Sequence, residues 1–121
     1  MIFKTRHFAK WARKSGLTDS LLFNAVLEMQ GGLYEADLGG GIVKKRIALP
    51  GRGKRSSTRT LIATNFDDNC FFVYGFEKTE RINISENELE ALKKLAKNLL
   101  AMTDILLRNA VEEGILLEVK K

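Results

Sequence analysis

A chain of 121 residues, 45% apolar and 29% charged, has the length and balance of one soluble domain, 1–121, built around one core. Its apolar runs are a few residues long where a membrane span needs about 20, no signal-peptide pattern opens it, and its one cysteine, Cys70, allows neither an internal disulfide nor a thiolate metal site. The expectation is a cytosolic protein without membrane contact or cofactor, whose formal charge of +5 looks for an acidic partner.

In chain order, Ile2-Phe3 reads as a short edge strand. From Thr5 to Ser15, Phe8, Trp11 and Ala12 recur at helical spacing while Lys10, Arg13 and Lys14 face away, and Gly16 is placed to end that helix. Thr18 is a natural N-cap for a second helix, with Asp19 in its first turn and Leu21, Leu22, Ala25, Val26 and Met29 along one face. Gly31-Gly32 stops it, so the two helices form an antiparallel hairpin. His7, the one histidine, lies on the first helix and reads as a surface or packing residue.

The period then changes from helical to alternating. Gly39-Gly40-Gly41 is a flexible entry to a strand over Ile42–Ala48, in which Lys44 and Arg46 share one phase and Lys45 the other. Pro50 to Ser57 is a turn-rich loop. Thr60–Thr64 and Cys70–Phe76 follow as two strands of an antiparallel meander. On strict alternation Phe72, Tyr74, Phe76 and Lys78 fall on one side of the second of these.

Ser85-Glu86-Asn87-Glu88 is a capping box, opening an amphipathic helix that runs to about Met102. Thr103 or Asp104 caps a further short helix closed by Gly114, and Ile115–Val119 is a last strand. The order predicts an α+β fold, a small antiparallel sheet packed against the N-terminal helical hairpin, with C-terminal helices.

The basic charge is one patch. Between Asp37 and Asp67 there is no acidic residue, but there are seven basic ones: Lys44, Lys45, Arg46, Arg52, Lys54, Arg55 and Arg59. The other 13 basic and 15 acidic residues leave the remaining chain at −2. Uncompensated positive charge repels itself and is relieved by a polyanion; the plain alternative is a solvated basic loop.

Several pieces, in this order and spacing, resemble the RelE/ParE toxin superfamily and in particular its HigB-like, phage-associated branch. They are Phe8-Ala9-Lys10-Trp11-Ala12, Ala36-Asp37-Leu38-Gly39-Gly40-Gly41, Lys44-Lys45-Arg46, Gly51-Arg52-Gly53-Lys54-Arg55, Arg59, Tyr74-Gly75-Phe76-Glu77-Lys78, and Ile84-Ser85 running into Leu89-Lys93-Lys94-Leu95-Ala96. The resemblance covers nearly the whole chain. It implies a RelE-like fold and a toxin that cleaves messenger RNA in the ribosomal A site, an mRNA interferase that inhibits translation. It also implies a neighbouring antitoxin, in this branch usually a helix-turn-helix protein.

Attack of an RNA 2′-OH on the adjacent phosphate needs in-line geometry, a base, an acid and charge stabilisation of the phosphorane, and guanidinium groups supply the last. The catalytic candidates are therefore Lys54, Arg55, Arg59 and Lys78, with Lys44, Arg46, Arg52, Phe76 and Arg81 as RNA-binding residues and no metal ligand among them. Phe76 reads either as a base-stacking ring or as core, and Lys78 as a phosphate contact or a solvated strand end. Lys54, crowded by cations, is a candidate base and Tyr74 a candidate acid, although RelE-type sites have a later tyrosine and this chain has none. Sequence does not say whether the Lys44/Arg46 phase or the Lys45 phase faces the groove. Lys10, Arg13 and Lys14 form a second basic surface, read either as a ribosomal RNA contact or as a solvated helix face. Two rivals stand beside the nuclease: a gyrase-inhibiting toxin of the ParE kind, and a non-catalytic nucleic-acid-binding phage accessory protein.

Overall fold

The computed structural model describes residues 1–49, 51 and 58–121. Within these the chain order is β1 (Ile2–Thr5), α1 (Arg6–Ser15), α2 (Asp19–Gln30), β2 (Ala36–Gly39), β3 (Ile42–Ile47), β4 (Thr58–Thr64), β5 (Cys70–Glu77), α3 (Glu86–Leu100), α4 (Asp104–Glu112) and β6 (Leu116–Glu118). The strands form one sheet in the order β2-β3-β4-β5-β1-β6. Every pairing is antiparallel except that of β1 with β5. The fold is α+β, as the order of periods predicts.

Each helix starts where a side chain satisfies its free N–H groups. Thr5, Thr18, Ser85 and Thr103 accept from the backbone N–H of Phe8, Leu21, Glu88 and Leu106. Ser85 and Glu88 close the expected capping box in both directions, at 3.1 and 2.8 Å. Gly16 ends α1 at φ 80°, a conformation that costs a residue with a Cβ but not glycine.

The sheet is covered on both faces. On one, Phe8 and Ala12 of α1 and Leu22, Val26 and Met29 of α2 pack against Val43, Ile47, Ile62 and Phe72. On the other, Ala96 and Leu99 of α3 and Leu107 and Ala110 of α4 pack against Phe3, Ile42, Leu61 and Phe71. Alternation along β3 and β4 divides their side chains between the two cores, which is why apolar residues occur in both phases of each strand: Val43, Ile47 and Ile62 on one side, Ile42, Leu61 and Ala63 on the other.

Three expectations change. Ile2-Phe3 belongs to an interior strand, because β1 pairs with β5 through Ile2↔Cys70 and with β6 through Phe3↔Glu118. The β6 segment comes from the far end of the chain, so nothing near residue 2 announces it. Next, Ala36–Gly39 forms an edge strand, β2, that its composition hides, since Asp and Gly are poor strand residues. Gly39, Gly40 and Gly41, all at positive φ, are thus the tight turn between β2 and β3, and Lys93 of α3 lies so close over Gly40 that a Cβ there would meet its Cγ at 2.7 Å. Finally, the β4–β5 register slips between Leu61 and Ile62, so that Leu61 faces Tyr74 while Ile62 faces Phe72. This bulge places Phe72 and Tyr74 on opposite faces, with Phe72 in the α1–α2 core and Tyr74 against the α3 side.

Candidate functional site

The register of β3 and β4 settles the phase that sequence leaves open. Lys44 pairs with Leu61 and Arg46 with Arg59, so Lys44, Arg46 and Arg59 share the α3 side of the sheet. Lys45 pairs with Thr60 on the opposite side and reaches Glu28 of α2 at 3.1 Å. The Lys45 side chain is therefore a link between helix and sheet.

Glu35, in the segment between α2 and β2, joins two of the clustered cations. Its Oε2 accepts from Arg59 Nε at 2.7 Å and its Oε1 lies 3.4 Å from Lys44 Nζ. Arg59 is only 8% exposed, and a guanidinium that deep needs an anion beside it. The basic stretch is therefore compensated in space by carboxylates that precede it in sequence, Glu28 and Glu35. Glu35 is held in place by its own backbone, whose N–H donates to the Lys44 carbonyl at 2.8 Å. No local motif marks Glu35 as a site residue; only the folding of β2 alongside β3 brings it there.

Arg46 is exposed at the same corner. Lys78 is exposed and follows Glu77, the partner of Thr58, so it lies at the Arg59 end of the sheet and not at the Thr64 end. α3 runs from Glu88, at Tyr74, to Lys93 and Leu100, which pack on the Gly40 and Gly41 turn. Arg52, Lys54 and Arg55 lie outside the described residues, as does the loop expected over Pro50–Ser57 apart from Gly51.

Two expected RNA-binding residues have other work. Phe76 is 2% exposed, so its ring belongs to the interior and presents no open face for a base. Arg81 is committed to Glu88: its Nη2 and Nη1 donate to the two carboxylate oxygens at 2.6 and 3.0 Å, its Nη1 also to the Tyr74 hydroxyl at 3.2 Å, and its Nε to the Asn83 carbonyl at 2.9 Å. The Arg81 guanidinium, then the Ser85 backbone N–H, hold the Glu88 carboxyl down at about 2. Glu88 in turn raises the Arg81 pKa. The arrangement staples the segment after β5 to the start of α3.

Tyr74 belongs to the same knot. Its hydroxyl donates to Glu88 Oε2 at 3.2 Å, and burial, then the Glu88 charge, push its pKa up. Its proton is thus engaged structurally. His7 stacks on the Tyr74 ring at 5.8 Å with planes 10° apart, in keeping with a packing residue. Lys44, Arg46 and Arg59 concentrate positive charge on one face, the kind of charge that attracts a phosphate group, with one carboxylate, Glu35, in contact with two of those cations.

Among known proteins, the family model of the RelE toxin of the RelE/RelB toxin–antitoxin system matches residues 1–119. No curated protein matches the chain significantly.

Proposed function

The chain belongs to the RelE toxin family of toxin–antitoxin systems, and from that premise we propose that it is a ribosome-dependent endoribonuclease. Its substrate is messenger RNA, its mechanism is metal-independent attack of the 2′-OH on the adjacent phosphate, and its place is the HigB-like, phage-associated branch with a helix-turn-helix antitoxin. The observation that carries this reading is the corner where Arg59, Lys44 and Arg46 share one face of the sheet around Glu35. Gyrase inhibition would require a protein-docking surface and has no use for cations clustered around one carboxylate.

In this mechanism the scissile phosphate competes with Glu35 for the Arg59 guanidinium and Lys44 ammonium. The displaced carboxylate then takes the 2′-OH proton while the 2′-oxygen bonds to phosphorus. Arg59, Lys44 and Arg46 stabilise the added charge on the phosphorane. The P–O5′ bond breaks, and the leaving oxygen takes a proton from a cationic side chain, for which Lys78 is at the right end of the sheet. Lys54 and Arg55 are further contributors of positive charge in this reading. The products are a 2′,3′-cyclic phosphate and a free 5′-hydroxyl.

The test is induced expression in a bacterium, with growth followed and RNA ends mapped against reading frame. In-frame cuts confined to translated messages are the expected result. Growth arrest with DNA-damage induction and no cuts would replace the nuclease with a gyrase inhibitor, and no arrest would leave a binding protein.

A further inference from the structure

The turn that carries Lys78 has little apolar anchorage. Lys78, Thr79 and Glu80 are exposed, Ile82 is 87% exposed, and the chain regains the core only at Ile84. What closes the turn is polar. The Glu77 carbonyl accepts from the N–H groups of Glu80 at 2.9 Å and Arg81 at 3.2 Å, which leaves Lys78 and Thr79 at the tip. Arg81 then ties the turn down with four hydrogen bonds: two to the Glu88 carboxylate, one to the Tyr74 hydroxyl and one to the Asn83 carbonyl. Glu88 Oε1 also accepts from the Ser85 N–H and Oε2 from the Tyr74 hydroxyl, so β5, the turn and α3 meet at one carboxylate. Strand register gives this knot its place. Lys44, Leu61 and Tyr74 form one row across β3, β4 and β5, and Arg46, Arg59 and Phe76 form the next on the same side. Tyr74 lies on the α3 side, so its contact with Arg81 draws the turn toward the face that carries Lys44 and Arg59.

We propose that Arg81 and Glu88 are positioning residues for Lys78: their two-armed pair fixes the Lys78 backbone beside the Arg59 corner, within reach of the leaving 5′-oxygen of the RNA. Resting on the endoribonuclease reading, this names what holds its proton donor in place. The proton moves from Lys78 Nζ to O5′ as the P–O5′ bond breaks, and Lys78 is left as a neutral amine.

A lysine ammonium sits on a flexible stem, and proton transfer needs the donor within hydrogen-bond distance of the acceptor. An error of about 1 Å in such placement can cost on the order of a hundredfold in rate. A loose turn after β5 would add its own motion to that of the stem. An arginine gripped through both arms of its fork, by a carboxylate in the first turn of α3, removes the backbone part of that motion.

The experiment measures single-turnover cleavage on programmed ribosomes by the full-length wild type, Arg81→Gln, Lys78→Ala and the double variant. Circular dichroism checks each fold. If Arg81→Gln is not folded, Glu88→Gln, whose amide keeps the capping box, takes its place. In Arg81→Gln the rate at saturating protein is expected to fall by roughly ten- to a hundredfold, with the half-saturating concentration unchanged. In the Lys78→Ala background the same substitution is expected to change the rate by less than about twofold, a non-additive cycle. Backbone amide order parameters of Lys78 and Thr79 are expected to drop from about 0.85 toward about 0.6 in Arg81→Gln. A purely structural staple would lower the rate equally with and without Lys78, and that additive result would overturn the proposal. So would order parameters that do not change. A higher half-saturating concentration at an unchanged maximal rate would overturn it too, by making Arg81 an RNA contact. If the wild type cuts no RNA, the nuclease reading fails and the proposal with it; cleavage by the wild type with an additive cycle removes the proposal alone.

Discussion

Glu35 and Arg59 meet at 2.7 Å although they lie 24 positions apart in the chain, and the same carboxylate stands 3.4 Å from Lys44. The contact gives a buried arginine its counter-charge and puts one acid in the middle of the basic corner. Glu35→Gln keeps the shape and removes the charge. If Glu35 accepts the 2′-OH proton, single-turnover cleavage on programmed ribosomes should fall by roughly a hundredfold or more. Binding of a 2′-deoxy substrate should stay equal or tighten, since phosphate no longer competes with a carboxylate. Cleavage at the wild-type rate would end the assignment of Glu35 as the base.

Arg59 and Lys78 carry a second prediction. Arg59→Ala and Lys78→Ala should each lower cleavage by about two to three orders of magnitude, the scale for removing one charge-stabilising donor, and abolish growth inhibition. Lys78 is exposed, so its substitution should leave thermal unfolding unchanged. Arg59→Ala leaves Glu35 beside Lys44 alone, and its melting temperature should fall as well. Toxicity surviving both changes at equal expression would remove these residues from the site.

Trp11 lies across Gly75 of β5, and a Cβ at Gly75 would stand 2.1 Å from Cζ3 of the indole. Neither the ring nor the strand backbone can yield cheaply, because Trp11 packs on Phe8 at 5.5 Å and Gly75 pairs with Thr60. Gly75→Ala should destabilise the protein by about 1–3 kcal/mol in urea unfolding, through overpacking. Adding Trp11→Leu should recover part of that loss, giving a non-additive double-mutant cycle. A fully additive pair would show that the two residues do not meet.

The Arg81–Glu88 pair predicts a pH dependence. Glu88 has its carboxyl held at about 2, below its ordinary 4.5. A depressed carboxylate stabilises the fold fully above the unfolded value and progressively less as pH falls toward the folded one. The wild type should therefore exceed Glu88→Gln in stability by a constant margin at neutral pH. That margin should shrink as pH drops from about 4.5 to about 2. Urea midpoints for both proteins across that range check it, and a margin independent of pH would mean that the pair contributes nothing through its charge.

Much of this protein is local and was legible in the sequence: the helix caps at Thr18 and Ser85, the stop at Gly16, the alternation that makes β3, β4 and β5, and the α+β order. Those signals act over a few residues, through N–H groups that need a nearby acceptor and side chains that must face one way. The concentration of cations between Asp37 and Asp67 was equally plain, and with the motif order it pointed to the family that the chain belongs to.

What the tertiary structure decided is which of those residues meet. Strand pairing between Ala36–Gly39 and β3 brings Glu35 to Lys44 and Arg59, and only that register puts the Lys44 phase beside Glu35 and makes the Lys45 phase a helix contact. The bulge at Leu61/Ile62 shifts Tyr74 to the other side of the sheet, and β6, from the far end of the chain, turns β1 into an interior strand. Register and long-range pairing depend on the total burial of the sheet, a sum over distant residues that no short window contains. Counter-charges follow the same rule: a buried guanidinium takes the carboxylate that folding delivers, however far away it lies in sequence.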